Sequence, residues 1–261
     1  MHANLPSIHE IAEYLDGLLE TQSVPDYPGA VNGLQLENAG PIRGVTAAVD
    51  FSTRAIDAAI ETNANLLVVH HGMFWGGATP LKGASYNRLR KLFEHDIGVY
   101  SSHLPLDRHP TFGNNVLLAK ELGLEPTASF AQYEGSSIGV RGSCDVETET
   151  ILKTAIEFSK ANDTVLRSTR FAERRRTLHW AICTGAGASA DTLKEARELG
   201  IDTLIVGEGP HWTAVEAEEQ GLCVIYAGHY ATETLGVRAI SEHLATRYGI
   251  PSSFARASTG L

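Results

Sequence analysis

The chain repeats one succession of strand and helix patterns, and this repeat constrains the fold more than any other feature. Residues 43–101 carry strand, helix, strand, helix and strand patterns in turn, and residues 177–226 carry the same order again. Strands that alternate with helices predict β-α-β units and a mainly parallel sheet. The sequence therefore predicts an α/β fold of two similar α/β lobes, related by an internal β-α-β-α-β duplication.

The length of the chain agrees with two lobes. Its 261 residues, of which 43% are hydrophobic, exceed the roughly 150 residues that are usual for one domain. We expect the first lobe over residues 1–125 and the second over residues 126–261, with the C-terminal helix packing back on the first lobe. Residues 131–176 lie between the repeats, carry no chemical motif and are assigned to the second lobe.

Three apolar strand patterns are followed directly by imidazole or carboxylate side chains. Parallel strands end at one edge of their sheet, so side chains that are distant in the sequence can converge there. Neutral imidazole and carboxylate are ligands that suit zinc, iron and manganese. The sequence therefore predicts a metal site at the strand ends. The candidate residues, strand by strand, are His70 and His71, His103 and Asp107, and His229 and Glu233.

Each histidine also has a simpler structural interpretation. Adjacent residues of a strand point to opposite faces, so one ring of the His70–His71 pair could be buried against a backbone carbonyl. Beyond the last ladder hydrogen bond, however, both rings can turn toward one pocket. His103 fits equally well as a ligand and as a residue that orients a ligand through its second ring nitrogen.

The acidic candidates have alternatives as well. Asp107 and Glu233 could be ordinary carboxylates in the first turn of a helix, but each follows a histidine by four positions in both repeats. At 229–233 this spacing indicates one face of a helix, whereas Pro105 favours a loop at 103–107. Glu208, which aligns with His71 of the first repeat, is either a general base or a solvated loop acid.

One glycine turn resembles a phosphate-binding loop. Residues 185–189 follow a strand and precede a helix, and helix N-termini bind anions. The turn lacks the full G-x-G-x-x-G spacing, and short turns also use glycine for steric reasons alone. Both interpretations stay open at the level of sequence.

Composition restricts the partners and the compartment. The net charge of −10 disfavours nucleic acid, and the one basic cluster, Arg170 with Arg174–Arg176, is more typical of a loop cap or a small-anion contact. The three cysteines lie far apart and form no Cys-x-x-Cys motif, which is typical of a reducing cytoplasm. No signal-peptide pattern or membrane-length apolar run is present. We therefore expect a soluble cytoplasmic protein.

The motifs together resemble the Nif-three-like dinuclear metal proteins, also labelled GTP cyclohydrolase 1 type 2 homologues. The resemblance extends over nearly the whole chain and implies two similar α/β lobes, six chains in a toroid and metal sites that face its cavity. It implies a compact member without the domain that longer members insert. The motifs that carry it are Asn32-Gly33-Leu34-Gln35, Val69-His70-His71-Gly72, His103-Leu104-Pro105-Leu106-Asp107, Asn114-Asn115 and Gly228-His229-Tyr230-Ala231-Thr232-Glu233.

The resemblance also implies a ligand set and an activity. Two divalent ions, zinc, iron or manganese, would be shared by five side chains, one carboxylate bridging both ions. We expect a hydrolase that acts on a small molecule, with a nucleotide as one candidate and opening of the GTP imidazole ring as the reaction that the label implies. Glu208 or His103 would move protons. The implied metal ligands are His70, His71, Asp107, His229 and Glu233.

Two other functions stay open. The site could store, deliver or sense metal without turnover, and the family name suggests a transcription-associated scaffold, for which the acidic composition gives no chemical support. A pocket that stacks and reads a base beside the metals would favour the enzyme. The aromatic and imidazole side chains nearest to the motifs in sequence are Phe74, Trp75, His211 and Tyr230.

Overall fold

The computed structural model describes residues 5–260, which form helices α1–α9 and strands β1–β11. The helices are α1 (Ile8–Leu18), α2 (Thr53–Glu61), α3 (Ala84–Glu94), α4 (Leu104–Asp107), α5 (Asn114–Glu121), α6 (Thr148–Ala161), α7 (Ala190–Glu198), α8 (His211–Glu219) and α9 (His229–Tyr248). The strands are β1 (Gly33–Leu36), β2 (Val45–Asp50), β3 (Leu66–His71), β4 (Gly98–Ser101), β5 (Ala128–Tyr133), β6 (Ser136–Glu147), β7 (Arg167–Ser168), β8 (Arg176–Cys183), β9 (Thr203–Val206), β10 (Cys223–Tyr226) and β11 (Ser252–Phe254).

The chain divides into two compact units. The first unit comprises the chain up to Leu106 together with Gly236–Ala257, and the second comprises Asp107–Leu235 together with the residues from Ser258 onward. Helix α5 belongs to the second unit because its apolar side chains are buried in the core of that unit. The lobes of residues 1–125 and 126–261 stay a prediction.

The first unit contains a five-stranded sheet in the order β1-β4-β3-β2-β11. Strands β2, β3 and β4 run parallel, β11 is parallel to β2, and β1 is antiparallel to β4. The register pairs Asp50 with His71 and Val69 with Ser101. The carboxyl ends of the three central strands therefore lie side by side, as the repeat predicts.

The core of the first unit forms because β3 is apolar on both faces. Every residue from Leu66 to His71 is buried, which is typical of a central strand in a parallel sheet. Ile56 of α2 and Leu92 of α3 pack with Leu67 on one face. Ser52 begins α2 by accepting a hydrogen bond from the Ala55 N–H, as the sequence predicts.

The second unit contains a six-stranded sheet in the order β5-β6-β8-β9-β10-β7. Strands β8, β9 and β10 run parallel and form the second copy of the predicted succession. The hairpin of β5 and β6 extends the sheet on one side, and β7 pairs antiparallel with β10 on the other. The register aligns Cys183, Val206 and Tyr226, so these three strands also end together.

Both faces of the second sheet are covered by helices. Leu204 and Val206 face Leu193 of α7, whereas Ile205, which points to the opposite face, packs with Leu118 of α5. Trp180 of β8 is fully buried on that second face. The continuous apolar run of β9 is therefore explained by burial from both sides.

Two local expectations have clear outcomes. The loop predicted at 103–107 is wrong, because Leu104–Asp107 form the short helix α4. A helix tolerates proline in its first turn, where the missing N–H has no partner in the helix anyway. The pattern Ser7-Ile8-His9-Glu10 predicts a capping box, and this is confirmed. The Ser7 N–H donates to the Glu10 side chain, and the Ser7 side chain accepts from the Glu10 N–H.

Within residues 5–260, no helix has the length and apolar character needed to cross a membrane.

Candidate metal centre

The carboxyl end of β3 places two buried imidazoles at the edge of the first sheet. The Nδ1 atom of His70 lies 2.9 Å from the carbonyl oxygen of Ser102, and Nδ1 of His71 lies 2.9 Å from Oδ1 of Asp50. A carbonyl or carboxylate oxygen accepts, so each Nδ1 carries the proton. In the neutral rings the lone pair is therefore on Nε2, the tautomer that suits a metal ligand.

His103 is held by a buried carboxylate. Its Nδ1 donates to Oδ1 of Asp26 over 2.8 Å, and the two side chains are 9% and 6% exposed. Asp26 also accepts from the Leu104 N–H and from the side chain of Asn32, which in turn accepts from the His103 N–H. Burial raises the pKa of Asp26, but His103 and the other donors outweigh that effect and lower it. The carboxylate is therefore ionised and orients the ring.

The three imidazoles form one cluster in the first unit. The ring centroid of His70 lies 4.9 Å from that of His71 and 4.9 Å from that of His103. One nitrogen of each ring lies within 4.8 Å of the others. Trp75 closes one side, with its ring 4.7 Å from His103 and 5.3 Å from His71. The donor type, the neutral tautomers and the close approach fit a divalent cation.

The first turn of α9 carries the second set of candidates, in the second unit. Nε2 of His229 lies 3.2 Å from Oε2 of Glu233, and Nδ1 lies 2.8 Å from Oε1 of Glu208. Burial lowers the pKa of His229, but hydrogen bonds to Glu233 and then Glu208 and the charges of both outweigh it and raise the pKa to about 9. Such an acidic pocket attracts a cation at this position.

Gly185 allows Glu233 to approach the end of β8. A Cβ atom at residue 185 would lie 2.1 Å from Oε1 of Glu233, and the residue has a φ of +62°. Its N–H also donates to Oγ1 of Thr232 over 3.0 Å. Only glycine meets both the left-handed conformation and the close contact. These contacts support the steric interpretation of the glycine turn.

Asp107 is fixed by amide and hydroxyl donors of the second unit. Its Oδ1 accepts from Nδ2 of Asn114 over 2.8 Å and from Oγ1 of Thr184 over 3.3 Å, and the residue is 5% exposed. Asn115 links the same segment to β8, because its Oδ1 accepts from the Thr184 N–H. The Asn114–Asn115 motif therefore positions this carboxylate.

The structure assigns the predicted residues to two sets, one in each unit. His70, His71 and His103 come together in the first unit, and Glu208, His229 and Glu233 come together in the second. Sequence reasoning missed the orienting role of Asp26, Asp50, Asn32 and Thr184, although Asn32 belongs to one of the motifs. The only sequence signal for Asp26 is that it stands in a proline- and glycine-bounded turn. Of the proposed pocket residues, Trp75 contacts the first set, whereas Tyr230 is buried and His211 begins α8.

Comparisons with known proteins find relatives along almost the whole chain. The sequence model of the Duf34/NIF3 (NGG1p interacting factor 3) family matches residues 6–258. The chain is 39% identical to a Pyrococcus abyssi protein named GTP cyclohydrolase 1 type 2 homolog, over 97% of this chain and 98% of that protein. It is 35% identical to the Deinococcus radiodurans protein of the same name, over 97% and 94% of the two chains.

The fold has a close counterpart among solved structures. Protein ybgI, described as of unknown function, superposes with a TM-score of 0.86 at 31% identity, over 98% of this chain and 100% of that one. The family match, the full-length relatives and the shared fold confirm the resemblance drawn from the motifs. The chain therefore belongs to the DUF34/NIF3 family.

Proposed function

We propose that this protein is a metal-dependent hydrolase that acts on a small molecule. The observation that carries the proposal is the cluster of His70, His71 and His103, in which each ring donates through Nδ1 to a fixed oxygen. Such outer partners raise the basicity of the ligating nitrogen and hold its direction. A cluster with a purely structural role would not need three rings oriented in this way.

The proposed centre holds two divalent ions and uses both sets of residues. Histidine and carboxylate ligands suit zinc, iron or manganese. We assign the metal ligands to His70, His71, Asp107, His229 and Glu233, which would hold both ions.

The chemistry follows from the ions and from the protein groups around them. Two divalent ions polarise a carbonyl or phosphoryl oxygen of the substrate and activate water for attack. Glu208 and His103 are the proposed proton carriers, and both act from fixed positions. Glu208 is half exposed beside His229, so it can exchange a proton with solvent. Asp26 holds the His103 ring in a fixed direction by accepting from its Nδ1.

The names of the relatives support one substrate class. Proteins named GTP cyclohydrolase 1 type 2 homolog suggest a nucleotide, and ring opening by hydrolysis agrees with a dinuclear centre. We also propose, from the family resemblance, a cytoplasmic homohexamer. The alternative is a non-catalytic metal-binding or regulatory protein. It is weakened because five protein ligands shared by two ions leave coordination positions open for substrate.

The test combines metal content with turnover. Protein purified without added metal is analysed for elements, and then wild type and Glu233→Gln are assayed with nucleotides, esters and phosphoesters. Glu198→Gln is the matched control, because its exposed carboxylate on α7 faces Lys194. We expect two ions per chain and hydrolysis in wild type and control, and loss of both in Glu233→Gln. Two bound ions with no product from any substrate would favour the non-catalytic alternative.

A further inference from the structure

A groove of about 890 Å³ opens beside the three-histidine cluster and shares Trp75 with it. Small-molecule sites usually enclose about 300 to 1,000 Å³ and have mainly apolar walls. This groove meets both conditions, and Leu81 and Phe93 are exposed by 65% and 67% at its rim. Its main apolar lining consists of Phe51, Phe74, Trp75, Leu81, Leu89 and Phe93.

Arg88 is the single charged residue of that lining. Its guanidinium lies 5.6 Å from the ring centroid of Phe51, and its Nη2 reaches Oγ of Ser85 at 3.5 Å. Its Nε is buried and has no hydrogen-bond partner among residues 5–260. A buried donor without a partner costs free energy, which a bound acceptor would recover.

The other cations of α3 are already neutralised. Arg90 pairs with Glu94 at 3.4 Å, and Lys91 pairs with Asp57. No described carboxylate pairs with Arg88, although the protein carries a net charge of −10. The groove therefore offers one positive charge within apolar walls, which is complementary to one anionic group on an apolar body.

The groove has one carboxamide, and it is already used. Nε2 of Gln35 donates to the carbonyl oxygens of Ala30 and Val31, and Oε1 accepts from the Met73 N–H over 2.7 Å. Gln35 thus ties the loop after β3 to the segment before β1 and has no amide group left to read a base edge. Recognition in the groove rests on shape, stacking and one charge.

We infer that this groove binds a small organic anion, whose carboxylate or phosphate pairs with Arg88 and whose aromatic body lies along Phe74, Trp75 and Phe93. Guanidinium recognises both anions through paired N–H donors, and aromatic side chains stack on a flat ring. This inference rests on the proposed function and deepens it, because it names the substrate class of the adjoining metal centre. The Trp75 end of the groove would present the reacting bond to the histidines.

The experiment measures binding to the chelator-treated full-length protein by calorimetry. The probes are 2-naphthyl phosphate, 2-naphthoate, the uncharged 2-naphthalenemethanol and inorganic phosphate. Arg88→Gln removes the charge, Arg88→Lys keeps it without the paired donors, and Arg90→Gln is the control on the same helix. Circular dichroism verifies that each variant is folded.

We expect both naphthyl anions to bind wild type and Arg90→Gln with similar affinity. They should bind Arg88→Gln at least about tenfold more weakly, because that variant loses the charge-assisted hydrogen bonds. Arg88→Lys should be intermediate. The tighter of the two anions identifies the preferred acidic group. Equal binding of the anions to Arg88→Gln and wild type, or equal binding of the uncharged alcohol and the anions to wild type, would overturn the inference.

A second copy of this chain is the competing occupant of the groove. Sedimentation of wild type and Leu81→Glu distinguishes it, because a charge at the rim would dissociate an assembly that the groove holds together. Dissociation of Leu81→Glu would overturn the inference, and an unchanged assembly supports it.

The two proposals fail separately. If metal-free protein binds the aryl anions but metal-loaded protein does not turn them over, the hydrolase proposal is wrong and the anion-binding groove stands. If Arg88→Gln turns over the aryl anions with an unchanged KM, the anion-binding groove is wrong and the hydrolase proposal stands.

Discussion

At the scale of the residue, the candidate metal ligands could be predicted from the sequence, but the side chains that orient them through hydrogen bonds could not. His70, His71 and His229 stand at strand ends, so their position follows from the apolar pattern before them. Asp26 lies in a turn with no periodic pattern, and its contact with His103 spans 77 positions of sequence. Only the folded chain brings such a pair together, because a buried hydrogen bond between distant side chains depends on tertiary packing rather than local propensity.

Replacing Asp26 with Asn should slow turnover, because His103 is a proposed proton carrier. The amide keeps the shape of the side chain but loses the charge that orients His103. Loss of such an outer partner typically costs about 10- to 100-fold in activity. The measurement is the turnover rate of the metal-loaded variant with the substrate found in the screen. Glu37→Gln is the control, since its carboxylate faces His9 on the exposed surface, and equal turnover rates of the two variants would contradict the orienting role.

Gly185→Ala should destabilise the second unit more than Gly200→Ala does. Both glycines have positive φ, +62° and +65°, so both alanines carry the same conformational cost of about 1 kcal/mol or more. Only the alanine at residue 185 would meet Glu233, since nothing lies within 4 Å of a Cβ at residue 200. Urea unfolding gives the two free energies. A difference near zero would mean that Glu233 moves away at no cost.

At the scale of the element, parallel strands were easier to predict than the antiparallel extensions of each sheet. Strands β3 and β9 are continuous apolar runs, whereas β5 keeps an unbroken register with β6 but has a φ of +59° at Ala131. The neighbouring residues Phe130 and Ala131 are both buried, so β5 lacks the alternation that predicts a strand. Helix α5 was missed because its polar start, Asn114, is buried for a tertiary reason, the contact with Asp107.

The central strands of the second sheet should protect their thiols. Burial raises the pKa of Cys183 to about 12 and that of Cys223 to about 11. Burial also raises the pKa of Cys144, but its side chain on β6 is partly accessible. Iodoacetamide at pH 8 should therefore modify Cys144 first, as followed by peptide mass spectrometry.

The pH dependence of that labelling has a definite sign. The thiolate is the reactive form, so labelling of Cys223 in the folded protein should rise as pH increases toward 11 and should be very slow at pH 8. Urea at pH 8 exposes the buried thiols and should make all three rates similar. Equal rates in the folded protein at pH 8 would contradict the burial of β8 and β10.

At the scale of the whole molecule, the sequence predicted two repeated α/β halves but not the short strand β11. Residues 236–257 return to the first unit, where β11 pairs with β2 and matches Ser253 with Thr46. A three-residue strand has too short a pattern to be recognised locally. The side-chain hydroxyls of Ser253 and Thr46, 2.8 Å apart, fix it through tertiary contact instead.

Metal binding should stabilise the folded chain, with Asp107 as one of the ligands. Loss of the Asp107 carboxylate should weaken metal binding without destabilising the metal-free protein. Asp107→Asn keeps the shape and the acceptor oxygen used by Asn114 and Thr184, so the metal-free variant should unfold at about the same urea concentration as metal-free wild type. Wild type should gain about 2.7 kcal/mol when free metal is 100 times its Kd, because the ion binds only the folded state.

Asp107→Asn should lose most of that gain, since an amide is a poorer ligand than a carboxylate for zinc or manganese. Asp145→Asn, which removes an exposed carboxylate of the same unit beside Arg176, is the control and should keep the full gain. The measurement is urea unfolding of the three proteins with and without Zn²⁺ or Mn²⁺. A full metal-dependent gain in Asp107→Asn would remove Asp107 from the ligand set.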